Sequence, residues 1–165
     1  MKYLKFFILM AVALFFAGNT YSLPSLFKKK TEQSKFKDQL IQNTELKRFI
    51  KTTPDKTYLV FCFSYSCPHC WNSIENLRQF ISLNIADSVI VFGMGEKKDK
   101  DYFMKNFQPD FKINEISHDN MIKLTTIYPT AFYIRHDSIK VVLPGALQSP
   151  ITFRKYFLET DFRLF

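Results

Sequence analysis

Six consecutive apolar residues, Tyr58-Leu59-Val60-Phe61-Cys62-Phe63, stand just ahead of Cys67-Pro68-His69-Cys70. A run without polar alternation suits a central strand covered on both faces, so it demands a layer of structure on either side. Behind the cysteines, Trp71, Ile74, Leu77, Phe80 and Ile81 recur at helical spacing. Pro68 is well tolerated in a first helical turn, and the spacing predicts a helix from Pro68 to about Asn84. A strand that ends in two cysteines at the mouth of a helix has a definite chemistry. The positive end of the helix stabilises a thiolate on Cys67, and Cys70, one turn on, can resolve a mixed disulfide.

The rest of the chain alternates around that unit. Ser88 to Met94 reads as a second buried strand, closed in a turn by Gly93 and Gly95 with Glu96-Lys97-Lys98. Asp99 can cap a helix that carries Tyr102, Phe103 and Phe107 and stops before Pro109. Phe111 to Ile116 alternates as an edge strand, and His118 to Thr126 fits a short helix through Met121, Ile122 and Leu124. Ala131 to Arg135 and Ile139 to Leu143 flank the polar turn His136-Asp137-Ser138 as an antiparallel hairpin. Ser149-Pro150 opens a last helix with Ile151, Phe153, Tyr156 and Phe157 on its apolar face. Before the central strand, Phe36, Leu40, Leu46, Phe49 and Ile50 fit one or two short amphipathic helices, the second capped by Asn43 or Thr44. The order β-α-β-α-β-α-β-β-α points to a three-layer α/β sandwich.

The N-terminus reads as an address. Lys2 and Lys5 precede an apolar stretch from Phe6 to Ala17, and Thr20 and Ser22 flank a plausible cleavage point. Residues 1–22 are therefore expected to be a signal peptide or N-terminal anchor, with residues 3–17 as a possible membrane tether. Residues 23–35 form a basic linker, and residues 36–165 form one domain. On either reading the folded part is exported, where disulfides persist. Cys62, inside the apolar run, is expected to be a buried, inert thiol.

Composition excludes several classes. With 47% hydrophobic residues, only 4 Gly and 7 Pro, the chain is not a disordered protein. The net charge of +8 draws on Lys2, Lys5 and the linker lysines Lys28, Lys29 and Lys30, with the other cations spread among acids, so nucleic-acid binding is disfavoured. Zinc would need a second ligand pair, and Cys62, His118 and His136 do not form one. A redox-inactive binding module with a structural Cys67–Cys70 disulfide is the alternative that the residues leave open.

The strand-CPHC-helix unit, Tyr128-Pro129-Thr130 ahead of a strand, the hairpin ending at Gly145 and the final helix together resemble the thioredoxin superfamily over roughly residues 40–160. The added segment Asp99 to Ile116 lengthens the spacing from Cys67 to Pro129 and is similar to the exported TlpA/ResA-like thiol–disulfide oxidoreductases. The tetrapeptide itself is the one associated with the DsbA oxidases. The chain departs from these patterns at Phe61, where thioredoxins place a buried acid, at Ser73, often Glu in the TlpA-like group, and at Ser66, in place of Trp.

The resemblance implies a thioredoxin-like sandwich with a central mixed sheet, helices on both faces and an extra αβ insertion before a cis-proline loop. It implies Cys67 as nucleophile, Cys70 as resolving thiol, and Pro68 and His69 as residues that favour the Cys67 thiolate. Tyr128, Pro129 and Thr130 would contact the substrate chain. Neither cofactor nor metal is expected. Partners would be cysteine-containing exported proteins and a membrane or periplasmic thiol–disulfide electron-transfer protein, with the domain in the periplasm, soluble or tethered to the inner membrane. The TlpA-like architecture implies a reductase, whereas the tetrapeptide implies an oxidase or isomerase.

Overall fold

The structure, a computed structural model, describes residues 36–158. The expectations for residues 1–22, for the linker 23–35 and for the chain after 158 lie outside the described residues. Five strands form one mixed sheet in the order β3-β2-β1-β4-β5. The central strand β1 (Thr57–Ser64) pairs in parallel with β2 (Ser88–Met94), which carries β3 (Ile113–Glu115) in parallel on its other side. On the opposite flank β1 pairs antiparallel with β4 (Thr130–Arg135), and β4 with β5 (Ser138–Pro144). The helices are α1 (Pro68–Trp71), α2 (Ile74–Ser82), α3 (Lys97–Phe107), α4 (His118–Leu124) and α5 (Pro150–Phe153), the last running into a π-helical turn at Arg154–Leu158.

The period of two along β1 splits the core into two layers. Leu59, Phe61 and Phe63 point to one face, where they pack with Ile74, Leu77, Phe80, Phe103 and Phe153. Tyr58, Val60 and Cys62 point to the other, against Ile41, Leu46, Met121 and Leu124. Helices α1, α2, α3 and α5 therefore cover one face, and α4 with the N-terminal turns covers the other. This is the three-layer α/β sandwich with a mixed sheet that the sequence leads one to expect. Helix α3 and strand β3 form the added αβ unit, attached at the β2 edge.

Local chemistry explains most boundaries. The hairpin turns on His136 and Asp137, both left-handed with φ of 51° and 53°, as a two-residue turn between twisted strands needs. Ser138, expected in that turn, belongs to β5 instead. Ser149 caps α5 by accepting the Thr152 amide, and Ser117 caps α4 by accepting that of Asn120.

Other expectations need correction. Residues 36–50 do not form amphipathic α-helices. Beyond Phe36 the chain pairs briefly with β5, through Asp38 N–H to Ile139 O and Ile139 N–H to Gln39 O, and then takes two 3₁₀ turns, Ile41–Asn43 and Glu45–Arg48. Thr44 precedes the second turn without capping it, and its hydroxyl donates to Ile41 O. The helix expected from Pro68 to Asn84 is interrupted at Asn72 and Ser73. Glu96, not Asp99, occupies the cap of α3, and Asp99 lies in its first turn, where a carboxylate suits the helix dipole. The edge strand shrinks from residues 111–116 to Ile113–Glu115.

Gly93 of β2 tests the packing near the end of β1. A Cβ there would stand 2.8 Å from Ile113 Cγ2 and 2.8 Å from Tyr65 Oη. Gly93→Ala is expected to cost about 1–3 kcal/mol by overpacking, read as a lower denaturant midpoint at unchanged slope.

Candidate active site

Strand β1 hands the chain through Ser64, Tyr65 and Ser66 to Cys67, which sits in extended conformation just ahead of α1. Backbone bonds shape this entry. Tyr65 N–H donates to Met94 O at 2.9 Å, Cys67 N–H to Ser64 O at 3.2 Å, and Cys70 N–H to Cys67 O at 3.0 Å. Trp71 Nε1–H then reaches back to Tyr65 O at 2.8 Å and pins the loop from the far side of the turn. Tyr65 is itself anchored: it is 1% exposed, and its hydroxyl donates to Glu115 Oε1 of β3 at 2.6 Å. Lys100 Nζ of α3 lies 3.0 Å from the same carboxylate oxygen.

The two thiols have different surroundings. Cys67 is partly exposed, and its Sγ–H donates to Tyr128 O at 3.6 Å. Cys70 is fully buried among Phe61, Phe63, Ile74 and Leu77. Burial pushes the Cys70 thiol well above its ordinary range, and the hydrogen bond it makes to Cys67 adds to that, while a backbone hydrogen bond from Ser64 opposes it. Both thiols are free, as is that of Cys62. Cys62 lies on the opposite face of β1, fully buried, and burial pushes its thiol up to about 12. That placement and that shift are those of an inert core thiol.

The other residues singled out from the sequence divide into two groups. Pro68 and His69 are exposed on the first turn of α1. Tyr128 is half-buried with its carbonyl over Cys67, and the Tyr128–Pro129 peptide is cis. Pro129 and Thr130 are buried, and the Thr130 hydroxyl donates to Ile127 O at 2.7 Å, so its side chain shapes the loop from within. His118 and His136 are exposed and lie on α4 and at the hairpin turn. Among the described residues no three metal-ligating side chains cluster.

Several residues that hold the site are not apparent from the sequence. Ser73, fully buried at the break between α1 and α2, donates its hydroxyl to His69 O at 3.2 Å and accepts Leu147 N–H at 2.9 Å. Asn76 Nδ2 donates to Leu147 O at 2.7 Å, and Gly145 N–H to Pro129 O at 2.7 Å. The turn bearing the cysteines is thereby linked through residues 145–147 to the loop opposite it. A buried hydroxyl with two partners explains why the helix breaks without Gly or Pro. The only signal for it in the sequence is that Ser73 departs from the pattern of the proteins that the chain resembles.

The shape of the domain is that of known proteins, although its sequence is far from theirs. No protein-family model matches the chain, and no curated protein matches it. Among solved structures, a DsbF homologue from Corynebacterium diphtheriae superposes with a TM-score of 0.51 at 11% identity, over 64% of this chain and 72% of that one. A secreted Mycobacterium tuberculosis disulfide oxidoreductase homologous to E. coli DsbE gives 0.49 at 16% identity, over 64% and 82%. StoA from Bacillus subtilis gives 0.48 at 17%, over 58% and 78%. The chain is similar to these in fold, and that fold is the thioredoxin fold.

Two outcomes are expected from this geometry. Ser73→Ala leaves the Leu147 amide buried without a partner and should destabilise the domain by about 1–3 kcal/mol in urea unfolding. Stability should also depend on alkaline pH through Cys62. Its thiol ionises from its ordinary 9.0 in the unfolded chain but only near 12 when folded. Between those values the native state holds the proton that the unfolded state has lost, so stability is full below pH 9 and falls as pH rises. The slope is about 1.4 kcal/mol per pH unit for this group, with Cys70 acting in the same direction. Urea midpoints at about pH 8 and about pH 10.5 should differ by less in Cys62→Ala than in the parent, and an equal difference would show that Cys62 is not responsible.

Proposed function

We propose that the chain is an exported thiol–disulfide oxidoreductase that exchanges a Cys67–Cys70 dithiol or disulfide with cysteines of other exported proteins, and that its main duty is reduction. The observation that carries this reading is a partly exposed thiol and a fully buried one in a single turn, Cys70 N–H donating to Cys67 O, at the exit of the central strand. A structural disulfide would need no such asymmetry. An attacking and a resolving thiol do, because the first must meet a macromolecule and the second must be shielded from it.

In the reductive direction, the Cys67 thiolate attacks one sulfur of a substrate disulfide, and the other substrate sulfur leaves as a thiolate that takes up a proton. Cys70 then loses its proton and attacks Cys67 Sγ. The mixed disulfide breaks, the second substrate sulfur leaves, and Cys67–Cys70 is oxidised. Two electrons pass from the protein dithiol to the substrate disulfide, and a donor dithiol on a membrane or periplasmic partner restores the pair. Oxidation is the same sequence run backwards. Tyr128, with its carbonyl beside Cys67, would be the side chain of the opposite loop that an incoming chain meets, and Pro129 and Thr130 would shape that loop. Pro68 and His69, exposed on the same turn, would face the substrate and tune Cys67.

The lean to reduction rests on the added α3–β3 unit, which resembles the TlpA-like arrangement; the oxidase reading rests on the CPHC tetrapeptide. Equilibration of the purified protein with glutathione decides between them. A reduction potential near about −270 mV supports reduction, whereas one near about −120 mV assigns the chain to oxidation. Cys67→Ser should abolish exchange, and Cys70→Ser should accumulate a mixed disulfide visible on a non-reducing gel. An unaltered rate in Cys67→Ser would end the proposal.

A further inference from the structure

Cys67 follows the middle strand of the sheet, so one flank faces the β2 side and the other the β4 side. On the β4 side stand Tyr128, bonded through its carbonyl to the Cys67 thiol, and Ile127, 42% exposed. On the β2 side, Trp71 stands one helical turn on from Cys67, its amide donating to Cys67 O at 3.3 Å. Its indole is held by Tyr65 O. The ring centroid lies 5.7 Å from that of Tyr102 and 5.7 Å from that of Phe107, both from α3.

These rings do not share the work of folding equally. Phe103 of α3 is fully buried, and Phe107 is half-buried against the same core. Tyr102 is 54% exposed, on a helix whose other solvent positions include Lys97, Lys98, Asp101, Lys105 and Asn106. Charge gives this surface no strong sign. Lys98, one turn before Tyr102, is paired with Glu96 at 3.0 Å, Lys100 is paired with Glu115, and Asp99 and Asp101 alternate with the lysines. What the surface offers a chain entering at Cys67 is an aromatic ledge, fixed behind and open in front.

We infer that Trp71 and Tyr102 form a recognition ledge that selects substrates with an aromatic or large aliphatic side chain beside the reacting cysteine. The inference rests on the exchange reaction proposed above and names its substrate class. A ring in the substrate gains offset or edge contacts with Tyr102 while its sulfur lies against Cys67. Selection acts in the first step, when the Cys67 thiolate forms the mixed disulfide.

The test uses the reduced full chain and three disulfides. Two are glutathione mixed disulfides of peptides identical except for Phe or Ser next to the cysteine, and the third is hydroxyethyl disulfide. Trp71 is the only tryptophan in the chain, so its fluorescence follows the reaction at the site. The parent protein should react roughly fivefold faster with the Phe peptide than with the Ser peptide. Tyr102→Ala should bring that ratio below about twofold and leave the hydroxyethyl disulfide rate unchanged, while Tyr102→Phe should keep the preference. Equal rates with both peptides in the parent, or an undiminished preference in Tyr102→Ala, overturns the ledge alone. Failure to react even with hydroxyethyl disulfide overturns the exchange reading, and the ledge with it.

Discussion

The structure depends on burying both faces of β1 at once. From Leu59 to Phe63 every side chain is fully buried, and successive residues serve opposite layers. Each large apolar side chain so placed contributes about 1.5–3 kcal/mol, so neither layer can be lost without exposing half of the strand. This constraint reaches the site directly. A strand fixed on both faces, and hydrogen-bonded on both edges, delivers Ser64 to a set position, and the chain to Cys67 has only two residues in which to turn. It also bears on Phe61. On the face that carries Cys70, Phe61 stacks with Phe63 at 5.9 Å between ring centroids, so an ionised group there would have to be desolvated inside an aromatic cluster.

The parts of the fold that were legible from sequence are those in which local pattern and tertiary role agree. The unbroken apolar runs of β1 and β2, the paired runs of β4 and β5, and Ser149-Pro150 at α5 say the same thing locally and globally. Residues 36–50 mislead because their apolar spacing is helical while their backbone is claimed by β5. With Asp38, Gln39 and Ile41 already bonded to Ile139 and Asp137, only single turns can follow. The break at Asn72 and Ser73 is invisible for another reason. It depends on a hydroxyl whose second partner, Leu147, lies in a loop far along the chain. The Cys67–Cys70 pair is conspicuous in the sequence because its residues stand within four adjacent letters. The bond from Tyr65 to Glu115 crosses 50 positions and leaves no periodic trace.

The added unit is more than a decoration on the β2 edge. Strand β3 is three residues long, and its last residue, Glu115, receives the Tyr65 hydroxyl, while α3 supplies Lys100 to the same carboxylate. The same helix brings Phe103 against Tyr65, with 5.4 Å between ring centroids, and Phe107 against Trp71. Gly93 completes the arrangement by leaving room for the Tyr65 ring to pack against β2. Burial, and then the bond to Glu115, push the Tyr65 phenol far above its ordinary range, which favours the neutral form that donates to Glu115.

Two clamps therefore meet on the short segment before Cys67. From the insertion come Glu115 and Lys100, acting on the Tyr65 ring; from the cysteine-bearing turn comes the Trp71 indole, acting on the Tyr65 carbonyl. On the other flank Ser73 and Asn76 tie that turn to Leu147, and Gly145 ties the same stretch to Pro129. Cys67 thus stands between two braced segments, with its sulfur near Tyr128 O and its carbonyl accepting the amides of Cys70 and Trp71. In the exchange proposed above, a thiol so held would lose little freedom, since the groups around it are already fixed. The buried partner is better fixed still. Cys70 is enclosed by residues of β1 and α2, so the separation of the two sulfurs is set by the same packing that makes the fold.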